Sequence, residues 1–227
     1  MGSFRTSLGS VVDITTDDGH TLPAYVAGNP AAAASLIVLH EVAGLNRHIR
    51  SICDRLSAYG YHVVAPNLFD RIQPQVEFGY SPMDLTRGQG IAANVNAEMA
   101  LADVVAASHH AGSSHQAVIG FGWGGDLAWL AACRTKLFRA GIAWYPPAIA
   151  NARQEIPNCP FQMHFAEWDI AIPAANVDAV RRAQPKVELQ VYHGAVQGFA
   201  CEERESFNAD IAETARDNML AFLRKHL

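Results

Sequence analysis

Short apolar runs alternate with amphipathic stretches over most of this chain, and the alternation predicts strands separated by helices. Residues 36–39 and 61–65 are apolar runs rich in β-branched or aromatic residues, and residues 46–58 between them repeat apolar positions at helical spacing. That is a β-α-β unit. The pattern recurs with a strand at 117–121, a helix at 124–133 and a strand at 140–145, then a strand at 161–165, a helix at 174–183 and a strand at 187–192. Residues 205–225 have helical periodicity, and two alternating runs near 11–16 and 22–27 look like an antiparallel N-terminal hairpin. The predicted fold class is α/β, with a mostly parallel central sheet, helices on both faces and antiparallel N-terminal strands. Residues 69–90 are too long and irregular for a simple connection and are expected to cover the carboxyl ends of the strands.

Composition narrows this picture. At 227 residues, half of them apolar, the chain can bury one large core, and one domain over 1–227 is expected. The net charge of −5 and the scattered 17 Lys and Arg offer no basic stripe, so nucleic acid is not an expected partner. The N-terminus shows no signal pattern, and no apolar run approaches the roughly 20 residues of a membrane helix. A cytoplasmic protein without membrane partners, monomeric or a small homo-oligomer, is the expectation. The four cysteines have no CxxC spacing and read as reduced thiols. No cofactor and no metal site is indicated, since even His109-His110 has no accompanying ligand at useful spacing.

In a parallel α/β sheet the ligand sits beyond the carboxyl ends of the strands, so the residues there carry the chemistry. The stretch Ile119-Gly120-Phe121-Gly122-Trp123-Gly124-Gly125 has the strand, sharp turn and helix start of a G-x-Ser/Cys-x-G nucleophile elbow. Its central side chain is missing, because Gly122 stands where the nucleophile belongs. The other strand ends supply His40-Glu41-Val42, Glu167-Trp168-Asp169 and His193 to Phe199. The order of elbow, acid and final loop is that of an α/β-hydrolase triad.

With the HEVAGLN loop, RLSAYGYHVVAPNLF, the IGFGWGG elbow, HFAEWDIAIP and YHGAVQGFA in this order, the chain resembles the dienelactone hydrolase (carboxymethylenebutenolidase) family of the α/β-hydrolase fold. The resemblance places the family's nucleophilic cysteine on Gly122, its triad acid on Asp169, its triad histidine on Gln197 and its loop glutamate on Glu41. A family arginine that holds a substrate carboxylate falls on Cys201. The implied substrate is a small unsaturated carboxylate or lactone from aromatic ring cleavage, and Arg71 or Arg87 in the covering stretch is a candidate anion binder. Changes at both 122 and 197 point to natural divergence rather than one trapping substitution.

What the elbow keeps is backbone: the N–H groups of Trp123 and Val42 are candidates for an oxyanion hole. Glu41 is the leading acid/base candidate, because burial beside an apolar elbow raises a carboxyl toward the operating pH. Cys201 is a candidate nucleophile or a small buried apolar residue, and His193 a candidate acid or a solvated loop side chain. Asp169 either binds substrate or holds loop N–H groups; Gln197 can bind a carboxylate but cannot take its proton. Tyr145 is a candidate pocket wall. Three readings stay open: a cis–trans isomerase or tautomerase of a dienoate, a hydrolase whose water is activated by Glu41, and a non-catalytic binding protein.

Overall fold

The computed structural model describes residues 9–227; the first eight, on which the expected absence of a signal pattern partly rests, lie outside the described residues. Strands β1 (Ser10–Thr15) and β2 (Thr21–Ala27) form the antiparallel hairpin. Next come β3 (Ser35–Leu39), β4 (His62–Pro66), β5 (Gln116–Phe121), β6 (Ala140–Trp144), β7 (Phe161–Trp168) and β8 (Glu188–Val196), in one eight-stranded sheet of order β1-β2-β4-β3-β5-β6-β7-β8. The β2–β4 pairing is also antiparallel, and every pairing beyond it is parallel. Every residue of β3, β4, β5 and β6 is buried, so both faces of the sheet's centre are covered. The expected α/β architecture is therefore present.

The helices are α1 (Arg47–Ala58), α2 (Pro82–Ala92), α3 (Ala97–Ala111), α4 (Trp123–Arg134), α5 (Ala174–Ala183) and α6 (Ala209–His226). Caps fix several of their starts. Asn46 accepts the Ile49 N–H at the head of α1, which sets where the Glu41 loop ends and that helix begins. The stretch 69–90 is not irregular throughout, as its mixed composition had suggested: Ser81 caps Asp84, Pro82 takes the first helical position, and α2 follows. Strand β8 also runs four residues past the expected end, because its last residues continue the pairing with β7 beyond a bulge near Trp168.

Arg71, a candidate anion binder, is engaged in ion pairs and does not line the cavity described below. Its guanidinium pairs with the buried Asp103 of α3 at 2.9 Å and with Asp18 at 2.9 Å, pinning the β1–β2 turn to the helix layer. Burial of Asp103 pushes its carboxyl up despite the Arg71 cation beside it, so the pair is held by its partners rather than by solvent. Removing Asp103 leaves Arg71 with the more exposed Asp18 alone. Asp103→Ala is expected to lower stability by about 3 kcal/mol, the low end for a broken buried pair because Asp18 keeps hold of Arg71. A chemical-denaturation midpoint equal to the parent's would show that the pair contributes nothing.

Among the described residues no helix is long and apolar enough to cross a membrane, and all four cysteines are free.

Candidate active site

A cavity of about 410 Å³ opens beyond the carboxyl ends of β3, β5 and β6, where the strand-end reading places the ligand. Glu41 and Val42 enter it from the loop after β3, Gly122 and Trp123 from the β5–α4 turn, Tyr145 from the end of β6, and Gln197 and Arg204 from the segment after β8. Leu85 and Gln89 of α2 close one side. The covering role expected of 69–90 thus falls to a helix.

The elbow is geometrically complete. Gly122 has φ 50° and ψ −122°, a conformation that L side chains rarely adopt, and its N–H donates to Trp144 O at 2.9 Å. Trp123 is the first residue of α4, where backbone N–H groups have no intrahelical acceptor. A Cβ built on Gly122 would lie 3.3 Å from the Glu41 Cβ and 3.9 Å from its Oε2. The space that a side chain at position 122 would take therefore faces Glu41.

Glu41 is almost wholly buried, and burial pushes its carboxyl above the ordinary carboxylate range. Two neighbours oppose that shift: the Tyr80 hydroxyl donates to Oε1 at 2.8 Å, and Arg204 Nη1 lies 3.9 Å from Oε2. The loop is fixed from behind by His40, whose Nδ1 donates to Glu41 O at 2.8 Å while its Nε2 accepts the Leu68 N–H at 3.0 Å. Burial holds that imidazole neutral, pushed down to about 4.

The pocket cation is Arg204, which sequence reasoning missed. It is the sole Lys or Arg between Gln197 and Asn208, three residues beyond the position of the family arginine. The chain bends at Gly198, φ +79°, where a Cβ would lie 2.6 Å from the Arg204 Nη1, so that glycine admits the guanidinium to the cavity. Arg204 also lies over the Tyr80 ring, 5.8 Å from its centroid. Tyr80 was missed too, since nothing in its local sequence sets it apart.

Val42, Gly122, Trp123, Tyr145 and Gln197 all line the cavity. The Tyr145 hydroxyl is buried and has no protein partner, leaving a donor for a bound ligand. Other candidates fall outside. His193 is exposed and pairs with Glu167 at 3.1 Å, because strand alternation at the end of β8 turns it outward. Arg87 is exposed and stacks over Phe78, 4.9 Å from the ring centroid. Cys201 is fully buried beside Glu41 and Tyr80 and is not among the residues lining the cavity, and burial pushes its thiol up to about 11. Asp169 holds a loop: its Oδ1 accepts the Ala171 and Ile172 N–H groups at 2.8 and 3.1 Å, while its Oδ2 is buried without a partner.

The sequence and the fold match those of one enzyme family. The profile described as "Dienelactone hydrolase family" matches residues 22–227. The "Putative carboxymethylenebutenolidase" of Escherichia coli K12 is 32% identical over 92% of this chain and 84% of its own length. Its counterpart in Salmonella typhi is 31% identical over the same shares. The crystal structure of a Klebsiella pneumoniae protein titled "Putative Dienelactone Hydrolase" superposes with a TM-score of 0.82 at 26% identity, covering 95% of this chain and 99% of that one. The fold is that of the α/β-hydrolases, and the chain belongs to the dienelactone hydrolase family.

Proposed function

We infer that this protein isomerises or tautomerises a small unsaturated carboxylate, with Glu41 as acid/base and no acyl-enzyme. The observation that carries the reading is Glu41 itself, a buried carboxyl facing the space left by the missing nucleophile. With glycine at 122 and glutamine at 197, the usual attack has neither thiol nor base. Glu41 can still move a proton, and the N–H groups of Val42 and Trp123 would stabilise an enolate oxygen. For a 2-hydroxydienoate, Glu41 takes the hydroxyl proton, the electron pair shifts along the diene, and Glu41 returns the proton to carbon. The former double bond is then single and rotates, and reversal of the steps gives the other geometric isomer. No atom is gained or lost. The relatives named for carboxymethylenebutenolidase support ring-cleavage lactones or their opened dienoates as the substrate class.

Proton NMR of the protein with such dienoates in deuterated water tests this reading. Deuterium entering the diene and altered vinyl couplings are expected; an unchanged spectrum for the whole panel would leave a binding protein. Hydrolysis is the second reading. It is favoured by the family and by the space at Gly122, where a water in the place of the absent side chain would lie 3.9 Å from Glu41 Oε2. Heavy oxygen from labelled water in the product would select it.

Arg204, with Gln197 beside it, is assigned the substrate carboxylate. Arg204→Gln is expected to raise KM by roughly 10-fold or more, from loss of a charge-assisted hydrogen bond. A KM equal to the parent's would remove that assignment.

A further inference from the structure

We propose that Glu41, His48 and Cys201 form a binding site for a borderline-soft divalent cation of the zinc type, behind the wall of the cavity. One ligand atom from each residue lies within 4.8 Å of the others, although the residues come from the β3–α1 loop, from α1 and from the segment after β8. The set joins an imidazole nitrogen, a thiol sulfur and a carboxylate oxygen, the three donor types of tetrahedral zinc. Three protein ligands leave a fourth position for water or a ligand atom.

The independent mark of a ligand is His48 Nε2. His48 is nine-tenths buried or more, at 2% exposure, and this nitrogen has no hydrogen-bond partner in the protein. Buried polar atoms are nearly always paired, so an orphaned nitrogen on an imidazole that also has a ring nitrogen within 4.8 Å of the thiol and the carboxylate calls for an occupant. Outside the three ligands, the Tyr80 hydroxyl bonds Glu41 Oε1 at 2.8 Å and is itself bonded by Asn46 Nδ2 at 3.3 Å. Such outer hydrogen bonds orient a carboxylate ligand.

Coordination breaks the Cys201 S–H bond, and the proton leaves to solvent as the sulfur–metal bond forms. The thiolate and the carboxylate together balance the ion's two charges. Occupancy ties up Glu41, so metal binding and proton transfer by that residue compete. This makes the site a regulatory one, and it stands whether the bound substrate is isomerised or hydrolysed.

Cobalt(II) titration of the intact protein tests the site without any substrate. One ion per chain is expected, with a thiolate-to-cobalt charge-transfer band in the near ultraviolet. Zinc should displace it. Cys201→Ser should remove the band, and His48→Ala should weaken binding by more than the roughly 10–100-fold typical of outer-shell changes. Cys159→Ser, at a thiol remote from the cluster, serves as control and should leave the titration unchanged. Circular dichroism checks that each variant is folded, and His48→Ala keeps the test open if Cys201→Ser is not. Absence of the band, or a band that persists in folded Cys201→Ser, overturns the site. Failure here leaves the NMR result on dienoates untouched, and the reverse also holds.

Discussion

Glu41→Gln is expected to remove nearly all turnover without weakening the fold. The amide keeps the shape of the carboxyl and cannot accept a proton, so the rate of diene deuteration should fall by roughly 10²–10⁴-fold, the usual contribution of a positioned general base. The same substitution has the opposite effect on stability. Burial holds the Glu41 carboxyl above its ordinary range, so the folded state binds that proton more tightly than the unfolded state does. Stability from this group is fully present below the unfolded-state value and is lost as pH rises toward the raised one. A neutral amide has no such loss, and the melting temperature of Glu41→Gln at neutral pH should equal or exceed the parent's. Activity, by contrast, needs the ionised base, so the parent's rate should fall as pH drops through that raised value. A Glu41→Gln protein that still deuterates the diene at the parental rate would remove the residue from the chemistry, and with it the isomerase reading.

Much of this was legible in the sequence because it rests on local pattern. The runs at β3, β5 and β6 are buried at every position, as a strand covered on both faces must be, and the glycine-lined turn after β5 identifies the elbow without any tertiary information. What was missed depends on contacts between distant segments. Arg71 and Arg204 are equivalent as letters; Asp103 claims one, 32 residues away, and the bend at Gly198 delivers the other to the cavity. Cys201 and His193 lie on either side of the same turn, yet one is buried behind Glu41 and the other is exposed. His48 drew no attention on α1, because its meaning comes from Cys201, far along the chain, through a three-dimensional proximity that spacing cannot encode. Helix α2 was hidden for another reason. Its residues carry little apolar periodicity, and only the Ser81-Pro82-x-Asp84 cap announces it.

The double substitution Gly122→Cys with Gln197→His should restore hydrolysis of an activated ester or a dienelactone. Asp169 makes this more than a formal reversal: its Oδ1 is held by two backbone N–H groups, while Oδ2 is buried and unpaired, an acceptor suited to the ring N–H of a histidine. Neither single change suffices. Cysteine alone has no base, histidine alone has no nucleophile, and each single variant should stay near the parental rate. Together they should raise the rate at least about 10²-fold, the lower end of general-base catalysis, so the mutant cycle is strongly non-additive. The change has a structural cost, since a side chain at φ 50° is strained by of order 1–3 kcal/mol and meets the Glu41 Cβ at 3.3 Å. A lower melting temperature in every variant that includes Gly122→Cys is therefore expected alongside the gained activity. Acyl-enzyme detected by mass spectrometry in the double variant would tie the gain to the new thiol. If the double variant hydrolyses no faster than either single one, the turn at residue 122, the loop at residue 197 and Asp169 are not aligned to serve as a triad.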